Sequence, residues 1–407
     1  AAGVPHATAV AGRPGPGAAR VPEDEPEGAA GNAPPPEPRA RGARPPAPEA
    51  VDDIARHLAR AERPVVLAGE MVGFEGANEA LADFAEAYGC GVLSSFRQQG
   101  VVPCANPAYL GTLGLALPPY QEALLAEADL VLALGTRLDL ATTVDDRVME
   151  EARFVIHVYP DGDALAAAGA DLQVCADIAS VLEALRAAAP DAPPASRSAW
   201  RARQRAAFDG FRRKVAAPAL GAVDLAHVVQ ALAEQVPADA TIVNDAGNFS
   251  TWLLRHYPYE HPLSQAAPAV GAMGYAMPGA IGAQLARPGK RVIALAGDGG
   301  FGMTGQELIT AVGNRLPIVV LVCDNGGYGT IAMHQFNRYG ADATYGIALD
   351  RPDFAAAARA WGADAWTVAA TEEFAPALEG ALAAQGPALI HLKTDMRDLV
   401  ASGAKMQ

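Results

Sequence analysis

The chain has 407 residues, a formal net charge of -15, and 51% hydrophobic against 19% charged residues. That length admits two or three domains with sizeable cores, and the acidic balance disfavours nucleic acid and anionic membrane as partners. No apolar run reaches the roughly 18 residues of a bilayer span, no basic-then-apolar leader opens the chain, and Cys90, Cys104, Cys175 and Cys323 are scattered without metal-ligand spacing, which points to small buried thiols in a cytoplasmic protein.

Residues 1–48 hold twelve of the 32 prolines and hardly a large apolar side chain, so they are expected to be extended or disordered. A helix over Val51–Ala61 then leads through Arg63-Pro64 to a strand at Val65–Ala68, a helix over Ala77–Tyr88 and a strand at Gly91–Ser95. Leu130–Gly135 and Phe154–Val158 continue the alternation, the pattern of a doubly wound parallel sheet, and residues 49–188 are assigned to this first α/β domain. Residues 189–222, opening rich in Ala, Pro and Ser, read as a linker. Residues 223–400 form a second α/β domain, giving two doubly wound parallel-sheet domains behind a proline-rich tail.

The second domain carries the chemistry. Arg291–Ala296 and Ile318–Cys323 are uninterrupted apolar runs, as expected of strands covered on both faces. The first ends in Gly297-Asp298-Gly299 and the second in Asp324-Asn325-Gly326-Gly327-Tyr328-Gly329. Between them, Thr304-x-x-Glu307 has the form of a capping box, predicting a helix that begins there and stops near Gly313-Asn314. Side chains at the carboxyl ends of neighbouring parallel strands converge on one crevice. A carboxylate and an amide oxygen there suit Mg²⁺, whose other positions go to water and substrate phosphates. Taken singly, Gly297-Asp298-Gly299 is equally a tight turn and Asn325-Gly326 an ordinary one.

The two strand ends and their 27-residue Asp-to-Asn spacing resemble the metal and diphosphate motif of thiamin diphosphate (ThDP) enzymes, acetohydroxyacid (acetolactate) synthase branch. Two further blocks strengthen the resemblance. Gly271-Ala-Met-Gly-Tyr-Ala-Met-Pro-Gly-Ala-Ile-Gly-Ala-Gln284 is similar to the segment that holds the cofactor's middle, with Met273 standing 25 residues before Asp298. Asn244-Asp-Ala-Gly-Asn-Phe-Ser-Thr-Trp252 is similar to a loop that touches the diphosphate. The resemblance implies that Asp298, Asn325 and the Gly327 carbonyl hold Mg²⁺, and that Met273 props the cofactor in a bent shape while the Gly271 carbonyl meets its pyrimidine amine. It implies that Gly247, Asn248, Phe249, Gly297, Gly299, Gly300 and Tyr328 complete the cofactor site. Asp324 departs from the family, which usually has Asn there.

The resemblance also implies a 2-oxo-acid lyase or synthase working as a homodimer or homotetramer on a small-molecule substrate such as pyruvate. In the family a glutamate on a first, pyrimidine-binding domain activates the cofactor. That domain has no counterpart here beyond a weak similarity of Gly12–Pro16 and Val21–Asp24 to its exit, so it is expected to come from a separate subunit or elsewhere. The alternative is a non-catalytic cofactor-binding or regulatory homologue. His334 occupies the position, nine residues beyond Asn325, where relatives place an aromatic residue along the substrate channel. It reads either as a general acid or base or as a surface helix residue. Arg97 and Arg137 fall in post-strand loops where some relatives carry FAD or an adenine nucleotide; with no GxGxxG after a strand, FAD is left open but is not expected.

Overall fold

The computed structural model describes residues 42–114, 117–214, 218–340, 343–398 and 400–401. The proline-rich stretch expected to be extended lies outside the described residues as far as residue 41. The chain divides into two compact units, residues 1–95 with 121–201, and residues 96–120 with 202–407. Among the described residues no helix is long and apolar enough to cross a membrane.

Strands β1 (Pro64–Ala68) and β2 (Gly91–Ser94) belong to the first unit, β3 (Tyr109–Thr112) falls within residues 96–120, and β4 (Leu130–Leu134), β5 (Val155–Val158) and β6 (Leu172–Val174) complete the first unit. The first unit's strands run in the order β2-β1-β4-β5-β6, every pairing parallel. The helix Pro48–Arg60 starts earlier than the apolar pattern indicates because Pro48 sits in its first turn, where proline's missing N–H is no loss. The helix Asn78–Tyr88 stops at Gly89, whose φ of 68° lets the chain leave in the left-handed region.

The expected linker contains a 19-residue helix, Ala195–Arg213. Its alanines and serines read as loop in isolation, but Arg197, Trp200, Arg201, Gln204 and Phe208 are buried. Arg197 donates to the carbonyls of Leu58 (2.5 Å), Ala59 (3.3 Å), Ala61 (2.5 Å) and Tyr88 (3.0 Å), and the Trp200 indole donates to Glu127 at 2.6 Å. Arg197 thereby places a positive charge where two helices, Pro48–Arg60 and Asn78–Tyr88, expose their last carbonyls.

In the second unit β7 (Thr241–Asn244), β8 (Gln265–Ala266), β9 (Val292–Gly297), β10 (Ile318–Asp324), β11 (Asp364–Val368) and β12 (Ala388–Lys393) form one parallel sheet in the order β11-β12-β10-β9-β7-β8. Strands β9 and β10 are buried along their whole length. Successive residues serve opposite faces: Val319, Leu321 and Cys323 join one apolar cluster, Ile318, Val320 and Val322 the other, as the two-residue side-chain period of a strand requires. Each such fully buried valine or leucine contributes about 1.5–3 kcal/mol relative to exposure. The chain goes from β7 to β8 on one side and returns to β9 on the other, so the strand order reverses between β7 and β9, the point at which open α/β sheets bind ligands.

One local expectation is corrected. The helix after β9 begins at once, as Asp298–Thr304, followed by a 3-10 turn at Gly305–Glu307 and a helix at Leu308–Gly313. Thr304 and Glu307 form no capping box: the Thr304 hydroxyl donates instead to the Gly274 carbonyl at 2.9 Å, and Glu307 accepts from Thr310 at 3.0 Å. A tertiary partner outcompetes the local cap.

Candidate functional site

A cavity of about 270 Å³ opens beyond the carboxyl ends of the second unit's strands. Five strands feed it. Gly247, Asn248 and Phe249 follow β7; Gly271 and Met273 follow β8; Gly297 ends β9 and Asp298 to Gly300 follow it; Asn325 and Gly327 to Ile331 follow β10; and Thr394 to Met396 follow β12. All twelve residues assigned from sequence to cofactor or metal therefore line one cavity: Gly247, Asn248, Phe249, Gly271, Met273, Gly297, Asp298, Gly299, Gly300, Asn325, Gly327 and Tyr328. His334 is not brought to it; the side chain is exposed on the helix Gly329–Tyr339.

Glycine is required where rings press on the backbone. A β-carbon on Gly297 would stand 2.8 Å from the Phe249 ring, and one on Gly299 the same distance from the Tyr328 ring. The two aromatic residues thus pack directly against the turn that carries Asp298, and Cβ-bearing residues would push it away.

Asp298 is 6% exposed and ties the two strand ends together. Its Oδ1 accepts from the Gly299 N–H at 2.8 Å, and its Oδ2 accepts from the N–H groups of Gly326 (2.8 Å) and Gly327 (3.2 Å). Burial pushes its carboxyl pKa up, against the pull of the Gly299 and Gly326 hydrogen bonds. Asn325 Oδ1 accepts from Gly327 N–H at 3.1 Å, and the Gly327 carbonyl accepts from Gly329 at 2.9 Å. A carboxylate offers about four acceptor positions and a carbonyl two, so each of the three oxygens keeps one position for a cation.

The electrostatics of the lining favour that use. None of the described lining residues is a lysine or arginine. Its other carboxylates are engaged: Asp224 caps the helix Leu225–Gln235, Asp395 pairs with Arg397 at 2.6 Å, and Asp398 accepts from the N–H groups of Leu220 and Gly221. An anion in this cavity therefore meets backbone amides and, among the described residues, no lysine or arginine, so that a metal ion would neutralise a polyanion there. Three hard oxygens, from a carboxylate, an amide and a carbonyl, match the donor set of Mg²⁺. They differ from a cage of acidic and imidazole groups, and no cluster of three His, Cys, Asp or Glu suited to a metal occurs among the described residues. Cys323 also faces the cavity, and burial drives its thiol pKa far up, which disfavours the reactive thiolate.

Behind the loop lies a charged network that the sequence did not disclose. Asp324, fully buried, accepts from His391 (2.8 Å), Lys393 (2.9 Å) and Arg351 (3.0 Å), and its carbonyl accepts from Arg351 at 2.7 Å. Burial alone would raise its pKa; the hydrogen bonds from His391 and Lys393 and the charge of Arg351 overcome it and hold the group ionised well below the usual range. The departure from the family's asparagine is thus matched by hydrogen-bond donors that come from residues 351, 391 and 393, too distant in sequence to be read as partners.

The two arginines considered for a nucleotide are used internally. Arg97 donates to the Pro268 carbonyl and stacks over Phe96. Arg137, in the first unit, pairs with Glu70 and Asp139 at 3.4 Å each.

Parallel strands ending in a carboxylate and glycine turns at a switch point are the arrangement in which α/β domains bind phosphate-bearing ligands. The family model of the thiamine pyrophosphate enzyme C-terminal TPP binding domain matches residues 245–392, and that of the central domain matches residues 51–185. The chain belongs to the thiamine pyrophosphate enzymes, among acetolactate synthase-like members. It is 30% identical over 410 residues to the catabolic acetolactate synthase of Raoultella terrigena, covering 95% of this chain and 69% of the relative. It is 28% identical over 391 residues to the acetolactate synthase isozyme 2 large subunit of Escherichia coli K12, covering 95% and 70%. Sulfoacetaldehyde acetyltransferase of Alcaligenes xylosoxydans xylosoxydans is 28% identical over 359 residues, covering 80% and 59%. The chain thus spans between 59% and 70% of these relatives' lengths.

Proposed function

We propose that this chain is the ThDP- and Mg²⁺-binding portion of a 2-oxo-acid decarboxylase or carboligase, acting with a pyrimidine-binding domain supplied alongside it. The observation that supports this most is that one cavity gathers all twelve motif residues and, among the described residues, has no lysine or arginine in its lining. Bound ThDP supplies an electron sink for cleaving the bond next to a 2-oxo group. The protein's share is placement. Asp298, Asn325 and the Gly327 carbonyl hold the metal that carries the diphosphate. Amides at the Gly299-Gly300 turn and the loop Gly247–Phe249 surround the diphosphate end, and Met273, with Gly271, supports the middle of the cofactor.

On the family resemblance, a 2-oxo acid such as pyruvate is the expected donor. His334 receives no role, since it is exposed and away from the cavity. The oligomer expected is a homodimer or homotetramer, on the family resemblance.

The test is calorimetric titration of the chain with ThDP, with and without Mg²⁺, followed by measurement of CO₂ release from a panel of 2-oxo acids with and without an added pyrimidine-binding domain. Metal-dependent binding and domain-dependent turnover are expected. Absence of binding overturns the cofactor reading; binding without turnover of any 2-oxo acid supports the non-catalytic homologue instead.

A further inference from the structure

Asp245, the residue directly after β7, is a buried carboxylate outside the cavity lining, 1% exposed. Its hydrogen bonds come from backbone N–H groups. Oδ1 accepts from Ala246 at 2.8 Å and from Tyr275 at 3.2 Å, and Oδ2 accepts from Gly274 at 2.9 Å. Gly274 and Tyr275 are the entry to the helix Ala276–Ala286, whose N-cap Tyr275 makes no side-chain cap of its own. Asp245 therefore caps that helix from about thirty residues upstream, with its charge at the positive end of the helix.

The same peptide is held from the opposite side. The Gly274 carbonyl accepts from the Thr304 hydroxyl at 2.9 Å, and Gly274 has a φ of +80°, a conformation that a side-chain-bearing residue adopts only under strain. Asp245 also presses on the Asp298 turn: a β-carbon on Gly300 would run into its carboxyl oxygen. The hydrogen bonds of this one carboxylate thus tie the end of β7 to the loop after β8, while its contact with Gly300 is van der Waals packing. Met273 is the residue immediately before the clamped peptide and lines the cavity, 39% exposed.

We propose that Asp245 is a positioning residue for the cofactor, which acts by fixing the Gly274 peptide and thereby the reach of Met273. The inference rests on the ThDP reading given above and assigns a role to a residue that does not itself touch the cavity. Its consequence is selective: the diphosphate end of the site, built on Asp298 and Asn325, is held by its own hydrogen bonds to Gly326 and Gly327. The middle of the site depends on Asp245.

The experiment is calorimetry on the full chain with Mg²⁺ and two probes, ThDP and inorganic pyrophosphate, for wild type, Asp245→Asn, Met273→Ala and the double variant. Asparagine keeps the shape but turns an amide donor toward a backbone donor. Asp245→Asn is expected to weaken ThDP by ~10-fold or more, the size seen when supporting groups around a site are lost, with pyrophosphate affinity unchanged. Met273→Ala is expected to weaken ThDP in the wild-type background and to add little in the Asp245→Asn background, since residues acting through one another are non-additive. Equal losses for both probes, or full additivity, would overturn the proposal and leave Asp245 a general structural residue. Should Asp245→Asn fail to fold, Thr304→Val, which releases the Gly274 carbonyl from the other side, is expected to give the same split, and equal weakening of both probes by it overturns the proposal. A wild-type chain that binds pyrophosphate but not ThDP, or neither, overturns the cofactor reading itself and this inference with it.

Discussion

Asp298 Oδ2 stands 2.8 Å from the backbone nitrogen of Gly326, so the carboxylate that ends β9 organises the turn that ends β10 before any ligand arrives. The two strands are in register, with Cys323 opposite Gly297, which brings Asp298 and Asn325 out on the same rim. Replacing Asp298 by Ala removes the charged metal ligand and one acceptor from each of the Gly299, Gly326 and Gly327 N–H groups, of which Gly326 and Gly327 keep Asp324 and Asn325. Mg²⁺-dependent ThDP binding is expected to fall by more than the ~10–100-fold typical of losing a supporting group, and a calorimetric affinity equal to wild type would refute the metal assignment.

Asp324→Asn restores the residue that relatives usually carry, and is nonetheless expected to destabilise. The change leaves His391, fully buried, and the partly exposed Lys393 and Arg351 without their shared anion. A broken buried pair costs about 3–5 kcal/mol; because the Lys393 and Arg351 side chains are 32% and 44% exposed and can turn to water, roughly 2 kcal/mol is the expectation here. Urea unfolding of the variant measures it, and an unchanged or raised midpoint would show that the network contributes nothing net.

In the first unit Arg197→Ala strips four carbonyls at two helix ends of their donor. Buried acceptors left unmatched cost about 1–3 kcal/mol each, and the loss is expected to reach roughly 3 kcal/mol in total, since some carbonyls regain water as the helix ends fray. Arg197→Lys recovers only part, because an ammonium cannot span acceptors fixed for a planar fork. Thermal melting of both variants, with Arg197→Lys falling between wild type and Arg197→Ala, is the check.

Acid sensitivity is expected from His157. The ring is fully buried, with Nε2 2.8 Å from the Thr136 carbonyl and Nδ1 without a partner. Burial pushes its pKa below the ordinary value, against the pull of that carbonyl. An unfolded histidine takes up a proton near pH ~6.5, while the folded site takes it only at lower pH. Its contribution is therefore fully present above that pH and is lost as the pH falls toward the folded value, by at most ~1.4 kcal/mol per pH unit. His157→Gln should flatten this dependence between about pH 7.5 and about pH 5.5; an equally steep urea-midpoint profile would assign the acid response to other groups.

The sequence by itself determined the strands that run apolar along their length, whereas β3, β6, β7, β8, β11 and β12 were not read from it. Runs such as Ile318–Cys323 are apolar at every position because both faces are covered, and that is a local property of the chain. The three motif blocks were legible because a metal-borne diphosphate needs glycine turns and oxygen ligands at strand ends, whose order along the chain follows from the alternation of strand and helix. Tertiary structure decided what those blocks lean on. Thr304 reads as a helix cap in one dimension and becomes a clamp on Gly274 in three. Asp324 reads as a lapse from the family pattern until His391, Lys393 and Arg351 surround it. Asp245 sits inside a block whose neighbours face the cavity, but its partners Gly274 and Tyr275 lie on another loop. Hydrogen bonds between residues far apart in sequence depend on how the sheet brings strand ends together, and no local pattern of residues encodes that distance.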